Sequence, residues 1–141
     1  ASGAYEIQTS QMVIERLGDS PVGQLAKRMV GDHTKAAQDL RQIAEQLRMQ
    51  IVYTLDAAKR ERIDELRDVT DKDKLGRRYV EDQIEAHRQA IDLFRRQAEQ
   101  GKSKELVAYA RTNLPLLEEH LRMAQSVAQG KAAALEHPAP R

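Results

Sequence analysis

Three of the chain's four histidines stand where helical spacing calls for an apolar side chain. In "RMVGDHTKAAQDL", Met29, Ala36 and Leu40 keep the steps of a buried seam, and His33 takes the place between them. His87 does the same among Val80, Ile84, Ile91, Phe94 and Ala98. His120 lies in or at the edge of the row Leu106, Ala110, Asn113, Leu117, Ala124, Val127. Neutral imidazole nitrogen is a ligand for zinc, copper, iron and nickel, and a carboxylate can complete such a set. Glu6 is the carboxylate that lies about as far from the first turn as His33 does. The candidate metal ligands are therefore His33, His87, His120 and Glu6, around one divalent transition metal, zinc or copper ahead of iron.

The elements that would position these residues are all helical. No segment alternates apolar and polar residues over a useful length, whereas steps of three and four recur almost throughout. A first helix is expected from about Gly3 to Leu17, ended by "GDSP". Ser20 is a good N-cap with Pro21 at the first helical position, and a second helix is expected to about Met49. The β-branched, aromatic cluster in "QIVYTLDAA" breaks it. A short helix from about Asp56 to Val69, a long one from Asp73 to Gln100, and a last one capped by Ser103 and reaching Gln129 complete the set. Pro115 removes one backbone bond from that last helix and predicts a kink. The fold class is all-α: a four-helix bundle over residues 1–130 with a short extra helix between the second and third long helices. The tail 131–141 contains "AAALEH", which resembles a cloning-vector scar. That tail, with His137, is expected to be disordered or vector-derived.

The four candidate ligands fall at one height. Glu6 and His33 lie 13 and 14 residues from Asp19, at the centre of the first turn. His87 lies 14 residues before Gly101 and His120 19 after it, a stagger of about 7 Å at 1.5 Å per residue. The lean of helical side chains toward the N-terminus brings that pair together. Each position is near mid-helix, so this level does not choose the bundle topology. Acidic neighbours accompany every histidine: Asp32, Glu85, Glu118 and Glu119. Adjacent helical residues point about 100° apart, so Asp32 is expected to face solvent or another helix. Glu6, near the start of the chain, is expected to be the most exposed of the four.

A plainer reading of the same letters is a structural histidine cluster, hydrogen-bonded to Asn113, Tyr79 or Tyr109. Tyr5 and Tyr53 read as surface aromatics.

Composition narrows the function. In 141 residues, 23 basic and 22 acidic side chains leave a net charge of +1, so no strong field draws polyanions, and nucleic acid is not an expected partner. "AAKRERIDELR" and "GRRYVED" mix arginines with acids as solvated helix faces do. The absence of cysteine excludes thiolate catalysis and cysteine-based zinc sites. No apolar run reaches the roughly 18 residues of a transmembrane helix. No nucleophile–base pair, phosphate loop or catalytic motif has usable spacing, which favours a non-enzymatic role.

The segments "AKRMVGDHTKA" and "VEDQIEAHRQAIDLFRRQAEQGKSKELVAYARTNLPLLEEHLRMA" resemble the bacterial domain-of-unknown-function family 4142, over about Gly3 to Ala128. The resemblance implies a ferritin-like fold and histidines at the positions of His33, His87 and His120, often with a glutamate at that of Glu6. It also implies an exported, periplasmic or outer-membrane location, because the usual precursors carry a signal sequence. The chain departs from the di-iron pattern of that fold. Glu-x-x-His pairs put both ligands on one face, whereas Glu85 and Glu118 stand two residues before their histidines. A mononuclear, histidine-rich site is what remains.

Two functions from different classes are expected on these grounds. One is a small exported metal-binding protein for sensing, buffering or stress protection. The alternative is a structural or interaction module of the cell envelope, its partner unknown, whose histidines form a buried hydrogen-bonded cluster.

Overall fold

Four of the helix starts in this chain are set by side chains rather than by packing. A computed structural model describes residues 2–50 and 55–130, in five helices: α1 Ser2–Leu17, α2 Pro21–Gln46, α3 Ala57–Asp68, α4 Lys72–Gln100 and α5 Lys104–Ala128. Ser20, Asp56, Asp71 and Ser103 each accept a hydrogen bond from the backbone amide three residues on, at 2.8–3.3 Å. That satisfies one of the amides a helix start leaves free. The expected helices are all present. α2, however, stops at Gln46 rather than Met49. Arg48 takes a left-handed φ of 55°, the Met49 amide bonds the Ala44 carbonyl at 2.8 Å and the Arg48 amide the Glu45 carbonyl at 3.2 Å. This is a Schellman ending with arginine where glycine is usual, so no glycine marked it in the sequence. α5 runs unbroken through Pro115. The β-branched stretch 51–54, with Tyr53, and the tail 131–141 lie outside the described residues.

Side-chain bridges fix the helix directions. Tyr5 reaches Asp82, Ser10 reaches Tyr79 and Arg16 reaches the Thr70 carbonyl, so α1 and α4 are antiparallel. Arg28 reaches Glu119 and Tyr109 donates to the Ala36 carbonyl, so α2 and α5 are antiparallel too. The short turns make α1/α2 and α4/α5 antiparallel hairpins. α2 and α4 are therefore parallel, and residues 47–71 must return along the bundle between them. The result is a four-helix bundle with one long crossover, and α3 lies in that crossover against α1 and α4.

The apolar core gathers toward the α1–α2 turn. Val13, Leu25, Ala26, Met29, Leu75, Tyr79, Val80, Met123 and Ala124 are buried there, and α3 adds Leu66. Next to this core the bundle interior turns polar, with Glu6, Thr9, Ser10, His33, Gln83, His87 and His120 all buried. Among the described residues no helix is long and apolar enough to cross a membrane.

Two glycines of α2 have opposite reasons to exist. A Cβ on Gly23 would stand 2.1 Å from the Leu17 carbonyl oxygen and 2.7 Å from that of Gly18, so only glycine lets α2 start this close to the end of α1. A Cβ on Gly31 would meet nothing within 4 Å. Gly23→Ala is expected to cost about 1–3 kcal/mol through overpacking. Gly31→Ala is expected to add about 0.8–1 kcal/mol through helix propensity. Urea unfolding of the two variants, read by circular dichroism, checks the opposite signs.

Candidate metal centre

Each long helix contributes one of the four candidate residues to a common point: Glu6 from α1, His33 from α2, His87 from α4 and His120 from α5. The three rings pack with centroids 5.3–5.5 Å apart. One ring nitrogen from each lies within 4.8 Å of the others. His87 and His120 are fully buried and His33 is 9% exposed. Glu6, expected to be the most exposed, is 2% exposed, and its Oε2 stands 2.5 Å from His33 Nε2. Tyr5 is buried as well, its hydroxyl donating to Asp82 Oδ2 at 3.1 Å, and so is not a surface aromatic.

The outward ring nitrogens are held, and this decides what the inward ones can do. His87 Nδ1 lies 2.8 Å from the Gln83 carbonyl oxygen. A carbonyl only accepts, so the proton is on Nδ1 and the Nε2 lone pair is free. His120 Nε2 lies 2.7 Å from Asp32 Oδ2. Burial raises the Asp32 carboxyl, but its hydrogen bonds from His120 and Arg28 outweigh that and bring it down to about 2. It is therefore an acceptor, His120 donates through Nε2, and the Nδ1 lone pair is free. Arg28 braces this carboxylate at 2.8 Å and also reaches Glu119 at 3.2 Å.

His87 Nε2, His120 Nδ1, His33 Nε2 and Glu6 Oε2 are all buried without a hydrogen-bond partner. The short Glu6–His33 approach has ion-pair distance but not hydrogen-bond alignment. Burial pushes the Glu6 carboxyl up, yet its close contact with the His33 imidazole outweighs that and holds Glu6 below the usual carboxylate range. Burial, together with the neighbouring His33 and His120, pushes His87 down and keeps it neutral. Three nitrogens and one carboxylate oxygen are a donor set that fits zinc or copper. In a tetrahedral zinc site donor atoms stand about 3.4 Å apart, within side-chain adjustment of the nitrogens seen.

The hydrogen-bonded alternative does not find the partners the sequence suggested. Tyr79 pairs with Ser10 Oγ at 2.5 Å, Tyr109 with the Ala36 carbonyl, and Asn113 with the Tyr109 carbonyl. None of these contacts involves a histidine. The residues that do hold histidines are Asp32 and the Gln83 backbone. Asp32 faces another helix, α5, one of the two orientations its position allowed. Glu85, by contrast, pairs with Arg62 of α3 across the surface at 3.5 Å. A cavity of about 210 Å³, lined by Tyr5, Glu6, Arg62, Ala86 and Ala90 among others, opens the Glu6 side of the cluster toward solvent between α1, α3 and α4.

The charge states predict an acid-sensitive fold. His87 has a depressed pKa in the folded protein, so below the ordinary value of 6.5 the unfolded chain takes up a proton that the folded one refuses. That term is lost as pH falls from 6.5. Asp32 and Glu6 are depressed carboxylates, and the stability they contribute is present above their unfolded values and lost as pH falls toward the folded ones. All three terms have one sign. The melting temperature of chelator-treated protein should therefore fall from pH 7 to pH 5 and further toward pH 3, and a flat profile would contradict this assignment of charges.

Comparison with known proteins places the chain without assigning it an activity. No curated protein and no solved structure matches it. Residues 1–127 match the family model described as Domain of unknown function (DUF4142). That span covers the four long helices but for the last residue of α5, and every residue of the histidine cluster, and the chain belongs to that family.

Proposed function

We propose that this domain binds one divalent transition metal through His33, His87, His120 and Glu6, and serves to sense, buffer or protect against that metal in an exported, periplasmic setting. The observation that carries the reading is the set of four buried donor atoms without an aligned hydrogen bond, one from each long helix, on one cluster. Unpartnered buried polar atoms are rare and costly in folded proteins, and here a single ion would satisfy all four. The outward partners support it. Ligating imidazoles are commonly held through their other nitrogen by a carboxylate or a backbone carbonyl, as His120 is by Asp32 and His87 by Gln83. With no cysteine in the chain, zinc and copper(II) suit the donors better than softer ions, and iron less well. The exported location rests on the family resemblance alone.

One observation favours the second reading, a metal-free structural cluster within an envelope interaction module: Glu6 and His33 already form a close carboxylate–imidazole pair. Elemental analysis of protein purified without an affinity tag, then calorimetric titration of the chelated form with zinc and copper, separates the two. One ion per chain is expected, released on acidification because ligation needs deprotonated imidazole nitrogens. Loss of any one imidazole in His33→Ala, His87→Ala or His120→Ala should weaken binding by more than the loss of an outer partner does. Asp32→Asn should weaken it roughly 10–100-fold. Circular dichroism would confirm that each variant is folded. Absence of binding at micromolar zinc and copper would leave the structural reading standing.

A further inference from the structure

Six buried side-chain atoms lack a hydrogen-bond partner among the described residues, and the proposed ion accounts for only four of them. The other two are Oε1 and Nε2 of one residue, Gln83, whose side chain is fully buried. An amide with both ends unmet in a protein interior is costly unless something else meets them. Its place in the bundle is specific. On α4, Tyr79, Gln83 and His87 follow one another in steps of four and are all fully buried. On the antiparallel α1, Ser10 faces Tyr79 and Tyr5 faces Asp82, which brings Glu6 to the level of Gln83 and leaves Thr9 about one turn away, level with Tyr79. Tyr79 and Ser10 satisfy each other, and the Thr9 hydroxyl donates to the Tyr5 carbonyl at 2.9 Å. The amide thus lies between a closed polar pair on one side and the histidine cluster on the other, with no protein group bonded to it.

We propose that Gln83 holds a small exogenous ligand of the metal, a water molecule exchangeable for a small anion, beside the Glu6 side of the site. The proposal rests on the metal reading and extends it. Three nitrogens and one oxygen from the protein leave room for a fifth ligand, since zinc-type sites expand to five-coordination. The amide is suited to either occupant, because its N–H₂ donates to an anion and its carbonyl accepts from water. A way in exists. The 210 Å³ cavity that reaches Glu6 is bordered by Lys59 and Arg62 of α3. Lys59 has no ion pair among the described residues, and Arg62 is held only by long contacts of 3.5–3.6 Å to Glu85 and Asp82. An ion so placed would be open to exchangeable ligands, unlike a closed structural site.

The test uses cobalt(II), whose visible absorption reports its coordination, and azide as the anion. Azide should change the spectrum of the cobalt-saturated wild-type protein. In Gln83→Leu the azide dissociation constant should rise about tenfold or more, the weight of one lost hydrogen bond to a bound ligand. In the metal-free state the same variant should melt at the same temperature as wild type or higher, because leucine removes two unmet polar atoms without emptying the site. Equal azide affinity in the two proteins, no azide response in wild type, or a lower melting temperature of metal-free Gln83→Leu would each overturn the proposal. The last would show that the amide is satisfied within the protein. A wild-type protein that takes up no cobalt, zinc or copper would end the metal reading itself, and this proposal with it.

Discussion

Burying ionisable groups in the middle of a helical bundle is the constraint around which this structure is arranged. An unpaired buried carboxylate is among the least favourable things a fold can contain, and Glu6 is almost wholly buried. It stays ionised because the His33 imidazole stands against it within a cluster of three. Those imidazoles are in turn kept in place from behind, by Asp32 at His120 and by the Gln83 carbonyl at His87. Asp32 depends on Arg28, which reaches Glu119 on α5. The cluster is therefore the inner end of a charged network that runs from the surface to the axis. Removing one member would leave another exposed to the low-dielectric interior, so the members are expected to be strongly non-additive in any mutational series.

That network works only if four helices hold their heights relative to one another. The α1–α2 register is locked where Gly23 lets α2 start against the Leu17 carbonyl and Ser20 both caps α2 and bonds back to that carbonyl at 2.6 Å. Counting outward from this turn brings Glu6 and His33 level. The apolar core on the turn side of the cluster then supplies the packing, while the Ser10–Tyr79 and Tyr5–Asp82 bonds fix α1 against α4. Because α1 is antiparallel to both α2 and α4, the long crossover is a geometric requirement, and α3 is placed by it rather than by a strong stripe of its own. Only Ile63 and Leu66 of α3 are buried.

Most of this was legible in the sequence because helical bundles write their seams in steps of three and four, and because serine, aspartate, glycine and proline mark helix ends for stated reasons. The convergence of His33, His87 and His120 followed from their distances to two turns. What could not be read was rotation about the helix axis. Asp32 is one residue from His33 and so points elsewhere, but in a bundle "elsewhere" includes the next helix, and it faces His120. The i, i+4 pairing of Arg28 with Asp32 was a signal of a braced carboxylate that seam counting passes over. Gln83 was hidden for a different reason: a glutamine on a seam looks like a boundary residue until its burial is known. The end of α2 was missed because an arginine occupies the left-handed position.

A site assembled from one residue per helix has an energetic consequence that a site on a single hairpin would lack. Its donor atoms come together only when all four long helices are docked, so whatever satisfies them stabilises the whole bundle and not one part of it. Without an occupant, the neutral His87 and the ionised Glu6 and Asp32 make the fold progressively less stable in acid. With one, the same groups would be locked in those charge states. Under the metal reading, occupancy and global stability are thus a single coupled equilibrium, and the bundle would report the presence of its ion through its own resistance to unfolding. Under that reading a sensor or buffer would need no further moving part.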